Sequence, residues 1–108
     1  MIDTKYMDIN VIRHLKSESA VRWTMHGSEK ILERGIARED VLHVIDHGEI
    51  IEEYPDDYPY PSCLIYGTGK DDQVIHVVAG VSEDTVHIIT AYYPTMAKFE
   101  EDLKTRRQ

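Results

Sequence analysis

The sequence predicts an α+β domain in which N-terminal helices pack on a four-stranded antiparallel sheet. Apolar residues recur at helical spacing in the first half of the chain, and from residue 49 onwards their spacing changes to two. The chain has 108 residues, the size of one domain, and can bury about two-thirds of the surface that its unfolded form exposes. We therefore expect a single domain over residues 1–108.

The first two helices are predicted from apolar spacing and from capping residues. Residues 8–17 carry apolar side chains at helical spacing. A second helix is expected to run from the N-cap Thr24 to about Arg34, because threonine caps well and Gly35 fits the left-handed position that ends a helix. Residues 21–23 between them fit either an extended entry or the start of the second helix.

A third helix is predicted over Arg38–His47, ended by Gly48, and Ala37 leaves its N-terminus without a capping side chain. Prolines then force an extended connection between the first two strands. A last short helix over residues 95–105, carrying Phe99 and Leu103, is expected after Pro94. The four strands are expected at Glu49–Tyr54, Ser62–Tyr66, Gln73–Val81 and Thr85–Tyr93.

Composition excludes several classes of protein. No apolar run approaches the roughly 20 residues that span a bilayer, and the N-terminus lacks the features of a secretory signal. The single cysteine, Cys63, cannot form an intramolecular disulfide, which favours a reducing compartment, so we expect a cytoplasmic protein. The net charge of −8 works against broad attraction to nucleic acid, and we expect no binding to DNA or membranes.

Hairpin symmetry predicts a polar row on one face of the sheet. With symmetric hairpins, His76 lies opposite both Thr90 and Cys63, and Glu53 lies beside Cys63. These four residues then align across the strands, with Tyr92 one diagonal step away. Imidazole titrates near neutral pH, so such a row can transfer protons. The structural alternative is a polar row satisfied by its own hydrogen bonds, and a one-residue bulge destroys the alignment.

The second predicted helix carries a basic stripe. His26, Lys30 and Arg34 are spaced i, i+4 and i+8, so they lie on one side and can hold a phosphate backbone. Glu29 and Glu33 flank them, and ordinary ion pairing on a solvated helix is the alternative interpretation.

Weaker patterns predict no cofactor. His43 and His47 have the i, i+4 spacing of a helical metal site, but no third ligand pattern accompanies them, so we expect surface histidines and no metal. Cys63 paired with His76 is a formal nucleophile pair, whereas a lone cysteine on a strand is usually a small buried hydrophobe. No glycine loop suited to phosphate is present.

An ordered set of short motifs resembles a small bacterial family named domain of unknown function 4258. The resemblance covers residues 24–107, which we interpret as the core, and leaves a variable N-terminal helix within residues 1–20. The matching stretches are Thr24-Met25-His26, Glu33-Arg34-Gly35-Ile36, Asp40-Val41, Gly48-Glu49-Ile50-Ile51-Glu52, Tyr54-Pro55, Pro59-Tyr60-Pro61-Ser62-Cys63-Leu64, Ile75-His76-Val77-Val78, Ile89-Thr90-Ala91-Tyr92 and Lys104-Thr105-Arg106-Arg107.

The resemblance implies a fold and a function. The family is similar in element order to the RelE-like ribonuclease toxins, which implies a metal-independent endoribonuclease of a toxin–antitoxin system, with RNA and a small zinc-finger antitoxin-like protein as partners. On this interpretation His76 is an acid or base and Tyr92 a second proton donor or phosphate contact. The remaining expected site residues are Thr90 beside His76, Arg34 and His26 toward phosphate, and Lys30 and Arg106 toward RNA. The alternative is a non-catalytic protein-interaction module, and a Cys63 hydrolase is a third hypothesis.

Overall fold

The computed structural model describes residues 7–108 and contains three helices and five strands within them. Residues 1–6, part of the predicted N-terminal segment, lie outside the described residues. The elements in chain order are α1 Ile9–Ser17, β1 Val21–Trp23, α2 Met25–Glu33, α3 Arg38–His47, β2 Glu49–Tyr54, β3 Ser62–Thr68, β4 Val74–Val81 and β5 Val86–Tyr92.

The helix ends follow the predicted capping chemistry. The Thr24 side chain accepts a hydrogen bond from the Gly27 amide at 3.0 Å, and Gly35 adopts a left-handed φ of 69° after α2. Ala37 gives α3 no side-chain cap, as expected. Gly27 also permits close approach of α2 to β5, since an added Cβ would stand 2.3 Å from the Ile89 carbonyl oxygen.

The sheet is mixed and five-stranded, in the order β1-β5-β4-β3-β2, so the prediction of four antiparallel strands was wrong. The missing strand is β1, whose residues 21–23 pair in parallel with residues 86–88 of β5. A three-residue strand carries too little alternation to be recognised from the sequence, whereas the other four strands form the expected antiparallel meander.

The predicted row of Glu53, Cys63, His76 and Thr90 does not form. Glu53 does pair with Cys63, but Cys63 lies opposite Ala79 rather than His76. The β3–β4 turn is displaced because β3 continues to Thr68, which pairs with Val74.

The other half of the row fails for a different reason. His76 pairs with Tyr92 rather than Thr90, because the Ser82–Thr85 turn and a bulge at Ile89 together shift the β4–β5 register by two residues.

The two faces of the sheet are covered differently. The helices cover one face and form an apolar core that contains Val44, Ile45, Ile65 and Val77, all fully buried. The other face carries Tyr66, His76 and Tyr92, and residues 94–107 lie over it as an irregular segment, here called the strap.

The strap is not the predicted helix. It consists of turns closed by a single bridge between Phe99 and Arg106. The Asp102 carboxylate accepts hydrogen bonds from the amides of Lys104 and Thr105, both at 2.9 Å, and Leu103 has a left-handed φ of 58°. Such local side-chain bonds compete with a helix for the backbone amides. Within residues 7–108, no helix has both the length and the apolar character needed to cross a bilayer.

Candidate functional site

Three cationic side chains and two tyrosines, Tyr92 and Tyr93, line one pocket, where the strap meets the end of β5. The pocket has a volume of about 380 Å³ and is bounded by Arg34 from the end of α2, Tyr92 from β5, and Lys98 and Arg106 from the strap. The chain carries a net charge of −8, so this gathering of positive charge is local. The arrangement suits a small anionic group bound beside a phenol.

Arg34 is held in place by the bulged part of β5. Its Nη1 donates to the Thr90 hydroxyl at 3.0 Å and to the Ala91 carbonyl oxygen at 2.9 Å. Both acceptors are uncharged, and the guanidinium keeps its full positive charge with donors left for a ligand. Thr90 therefore positions Arg34 instead of standing opposite His76.

Arg106 is held by the edge strand β2. Its Nε donates to both carboxylate oxygens of Glu52, at 2.9 and 3.1 Å, and its guanidinium lies 4.9 Å from the centroid of the Phe99 ring. The Tyr54 hydroxyl also donates to Glu52. The pKa of Tyr54 is raised by burial and by this bond, so the phenol stays protonated. Glu52 thereby anchors the strap and aligns one wall of the pocket.

His76 lies behind the pocket and is completely buried. Its Nε2 is 2.7 Å from the Leu103 carbonyl oxygen, which only accepts, so Nε2 carries the proton. Nδ1 therefore has the lone pair and accepts from the Tyr92 hydroxyl at 3.3 Å. Burial lowers the pKa of His76, which keeps the ring neutral near pH 7.

Burial alters the predicted role of His76. The histidine and Tyr92 do share one face, but Phe99, whose ring centroid is 4.7 Å away, and the Leu103 carbonyl cover the imidazole. A substrate in the pocket meets the phenol and not the imidazole.

Tyr92 is the titratable group that joins the pocket to His76. Burial raises the pKa of its phenol, and the positive charges of Arg106 and Arg34 act in the opposite direction. With a hydrogen-bond acceptor behind it and cations beside it, the phenol can take a proton from a ligand while passing its own to Nδ1 of His76.

Besides His76 and Thr90, which support the pocket without lining it, two of the predicted residues lie away from it. His26 is exposed on the first turn of α2, and Lys30 forms an ion pair with Glu33 at 3.4 Å. Of the basic stripe only Arg34 reaches the pocket lining. The stripe interpretation is therefore not supported as one continuous surface, and the Lys30 pair matches the alternative of ordinary surface pairing.

The thiol hypothesis has no geometric basis. Cys63 is fully buried in the core on the helix-covered face, and burial raises its pKa to about 12. His76 lies on the opposite face of the neighbouring strand, so the two cannot form a nucleophile pair.

A serine–histidine contact at the other end of β5 was missed by sequence reasoning. Ser82 Oγ lies 3.0 Å from Nε2 of His87, whose ring stacks on Tyr60. Arg22 Nε donates to Nδ1 of the same ring at 2.9 Å, so a neutral His87 carries its proton on Nε2. The ring then donates to Ser82 and cannot act as its base, which makes this contact structural.

Lys98 and Phe99 were also missed as pocket residues, because residues 95–105 were interpreted as a helix. The available signal was charge complementarity between acidic β2 and the basic C-terminus. The structure pairs them directly, with Lys104 Nζ 3.1 Å from Glu49 and Arg106 bound to Glu52. Among residues 7–108, no group of three potential metal ligands lies together.

Comparison with known proteins adds a family but no named activity. The family model described as domain of unknown function (DUF4258) matches residues 23–93. No curated protein and no solved structure matches the chain. The matched range includes Arg34, His76 and Tyr92, whereas Lys98 and Arg106 lie beyond it, so the strap completes the pocket from outside the matched segment.

Proposed function

We propose that this chain, which belongs to the domain of unknown function 4258 family, is a RelE-like, metal-independent endoribonuclease acting at the strap pocket. The observation that carries the proposal is the convergence of Arg34, Lys98 and Arg106 around Tyr92. A phosphodiester supplies negative charge beside Arg34 and Lys98, and it can accept from the donors that Arg106 does not use on Glu52. The acidic remainder of the chain restricts RNA contact to this pocket, which fits a short single-stranded target.

The proposed reaction is attack of a ribose 2′-OH on the adjacent phosphorus. The Tyr92 oxygen takes the 2′-OH proton as its own proton passes to Nδ1 of His76, 3.3 Å away. Arg34 and Arg106 stabilise the charge of the phosphorane. The bond from phosphorus to the 5′ oxygen breaks, and the Lys98 ammonium protonates that oxygen. The products are a 2′,3′-cyclic phosphate and a 5′-hydroxyl.

The test uses the purified chain, a labelled single-stranded RNA and a DNA of the same sequence, in buffer that contains EDTA. We expect cleavage of the RNA alone, with 2′,3′-cyclic ends identified by mass spectrometry. Tyr92→Phe should lower the rate about 10²–10⁴-fold, the usual contribution of a proton-transfer group. Arg34→Lys, which keeps the charge but not the fork that binds Thr90 and Ala91, should weaken RNA binding.

Tyr58→Phe is the matched control, because this tyrosine is 90% exposed and outside the pocket, so its rate should equal that of the wild type. Absence of RNA cleavage by the folded wild type contradicts the proposal. Cleavage that Tyr92→Phe and Arg34→Lys leave intact contradicts it equally, because it assigns the activity to another site or to a contaminant.

A second candidate, a non-catalytic protein-interaction module, is favoured by a different surface. Met25 and Leu32 are 80% and 81% exposed and lie two turns apart on α2. Large apolar side chains exposed on one face of a helix often mark a protein contact. This function predicts harmless expression and co-purification with a neighbour-encoded, zinc-finger antitoxin-like protein. Met25→Glu combined with Leu32→Glu should abolish that co-purification, whereas Tyr92→Phe should not.

A further inference from the structure

Two histidines on α3 form a pair of neighbouring imidazole rings that takes no part in the chemistry proposed for the pocket. His43 and His47 are exposed, lie one helical turn apart, and have ring centroids 4.3 Å apart. They lie on a helix that packs on the core side of the sheet, and neither lines the strap pocket. Any ligand they bind is therefore separate from the proposed RNA site.

The orientation of His43 is fixed by a backbone oxygen. Its Nδ1 lies 2.8 Å from the Thr68 carbonyl oxygen, which can only accept, so Nδ1 carries the proton and Nε2 has the lone pair. Donation of one ring nitrogen to a carbonyl is the usual arrangement behind a metal-bound histidine, because it fixes both the tautomer and the ring orientation. Spacing alone does not supply this feature.

The ring separation is short enough for a shared ion. With nitrogen–metal bonds of about 2.0–2.1 Å, rings whose centroids are 4.3 Å apart can both reach one ion placed between their outer nitrogens. Imidazole nitrogens suit Zn²⁺, Cu²⁺ and Ni²⁺, so the choice among these ions depends on their relative affinities.

Two nearby carboxylates are engaged elsewhere. Asp46 lies 2.6 Å from Lys16 Nζ, and Asp40 accepts from the Lys70 amide at 3.1 Å. The part of the chain that the structure describes offers no third protein ligand near the pair. Water molecules would fill the remaining coordination positions, so the site is open rather than a closed structural centre.

We infer that His43 and His47 form a surface site for a divalent transition-metal ion, Cu²⁺ before Ni²⁺. The spacing on α3 brings the two rings together, and the Thr68 carbonyl presents the Nε2 lone pair of His43. Affinity for divalent ions at nitrogen sites is highest for Cu²⁺, and this order sets the expected preference.

The test is calorimetric titration of the full chain with CuSO₄ and NiCl₂, together with electron paramagnetic resonance of the copper form. We expect Cu²⁺ to bind more tightly than Ni²⁺ and to show two imidazole nitrogens. His43→Ala and His47→Ala should each weaken Cu²⁺ binding about tenfold or more, on the scale of lost metal-site contacts. Each variant should leave one imidazole nitrogen in the spectrum.

His14→Ala and His26→Ala are the matched controls, since both residues are exposed histidines on other helices and should leave the titration unchanged. Circular dichroism verifies the fold of each variant. The inference is overturned if His43→Ala and His47→Ala bind Cu²⁺ as the wild type does, or if the control variants abolish binding instead. Tighter binding of Zn²⁺ than of Cu²⁺ overturns it as well.

Discussion

The two faces of the sheet contrast in what covers them. On one face, helices bury Val44, Ile45 and Ile65 in a core without charged side chains. On the other, the strap covers His76 through directional contacts: a hydrogen bond from His76 to Leu103, ion pairs to β2, and an edge-on Phe99 ring. Burial of apolar area stabilises the first face, whereas directional hydrogen bonds and ion pairs fix the position of the strap on the second.

Because of this difference, one face of the sheet supplies most of the stability and the other carries the groups that can react. The helix-covered face depends little on salt and on pH near neutrality, because its core contains no charged side chain and burial raises the pKa of the Cys63 thiol to about 12. The strap-covered face contains a neutral buried imidazole, a phenol and paired ions, all of which respond to solution conditions. Proton transfer requires titratable groups such as those on the strap-covered face, and the rigid core on the helix-covered face holds these groups in position.

The largest expected effect lies on the helix-covered face. Ile65→Ala removes a fully buried side chain from the rigid core, and we expect a loss of about 2–5 kcal/mol in the free energy of unfolding. Urea denaturation measures it. Met25→Ala, at an 80% exposed position, is the control and should change stability by less than about 0.5 kcal/mol. A loss at Ile65 as small as at Met25 contradicts the assignment of this face as the stabilising one.

Phe99→Ala tests the strap-covered face. Phe99 is as buried as Ile65, but it lies in a segment held by turns, which can open without unfolding the sheet. We therefore expect a smaller loss, about 0.5–3 kcal/mol, and faster amide exchange in residues 99–107 with β4 and β5 still protected. Hydrogen exchange followed by mass spectrometry distinguishes this from global unfolding. Equal acceleration in the strap and the sheet would show that the two faces form one cooperative unit.

The sequence predicted α1, α2, α3 and four of the strands, because their apolar periods are long and their caps are local, but it wrongly predicted a helix in the strap. Thr24 and Gly35 act within a few residues, so their roles could be inferred without knowing the fold. Register could not be inferred in the same way. A bulge at Ile89 and the extension of β3 to Thr68 depend on contacts with α2 and with the sheet, which short-range patterns do not contain.

The candidate site was predicted only in part. Arg34, Tyr92 and Arg106 do line one pocket, whereas the place of His76 behind Tyr92 depends on a strap that was interpreted as a helix. Leu103 with positive φ and the capping by Asp102 oppose that helix. Positive φ at leucine is unfavourable alone and persists through the surrounding contacts, so no propensity rule predicts it.

His76 gives the strap-covered face a predictable dependence on pH. Burial lowers its pKa below that of the unfolded chain, so the unfolded state binds the proton more readily. The stability linked to His76 is therefore fully present above about pH 6.5, and it is lost as the pH decreases through the folded pKa of this residue. The slope for one histidine is at most about 1.4 kcal/mol per pH unit.

The measurement is urea denaturation at pH 7 and pH 5. Burial and Arg22 lower the pKa of His87 also, so the wild type should lose stability through both rings. His76→Gln should lose less than the wild type between these pH values, and His14→Gln, at an exposed position, should match the wild type. Equal pH dependence in His76→Gln and wild type would show that this imidazole does not couple the strap to protonation.

The smallest expected effect belongs to the ion pair that fastens the strap at its outer end. Lys104 pairs with Glu49 at 3.1 Å and lies over the Tyr66 ring, but both ionic partners are partly exposed. Lys104→Ala should cost about 0.2–1 kcal/mol at low salt and less at 0.5 M salt, because exposed pairs are screened. Denaturation at both salt concentrations measures this, with Lys70→Ala as the exposed control. If salt does not reduce the stability loss of Lys104→Ala, the contact stabilises the strap by packing on Tyr66 and not by its ion pair. The strap would then resemble the helix-covered face at this position.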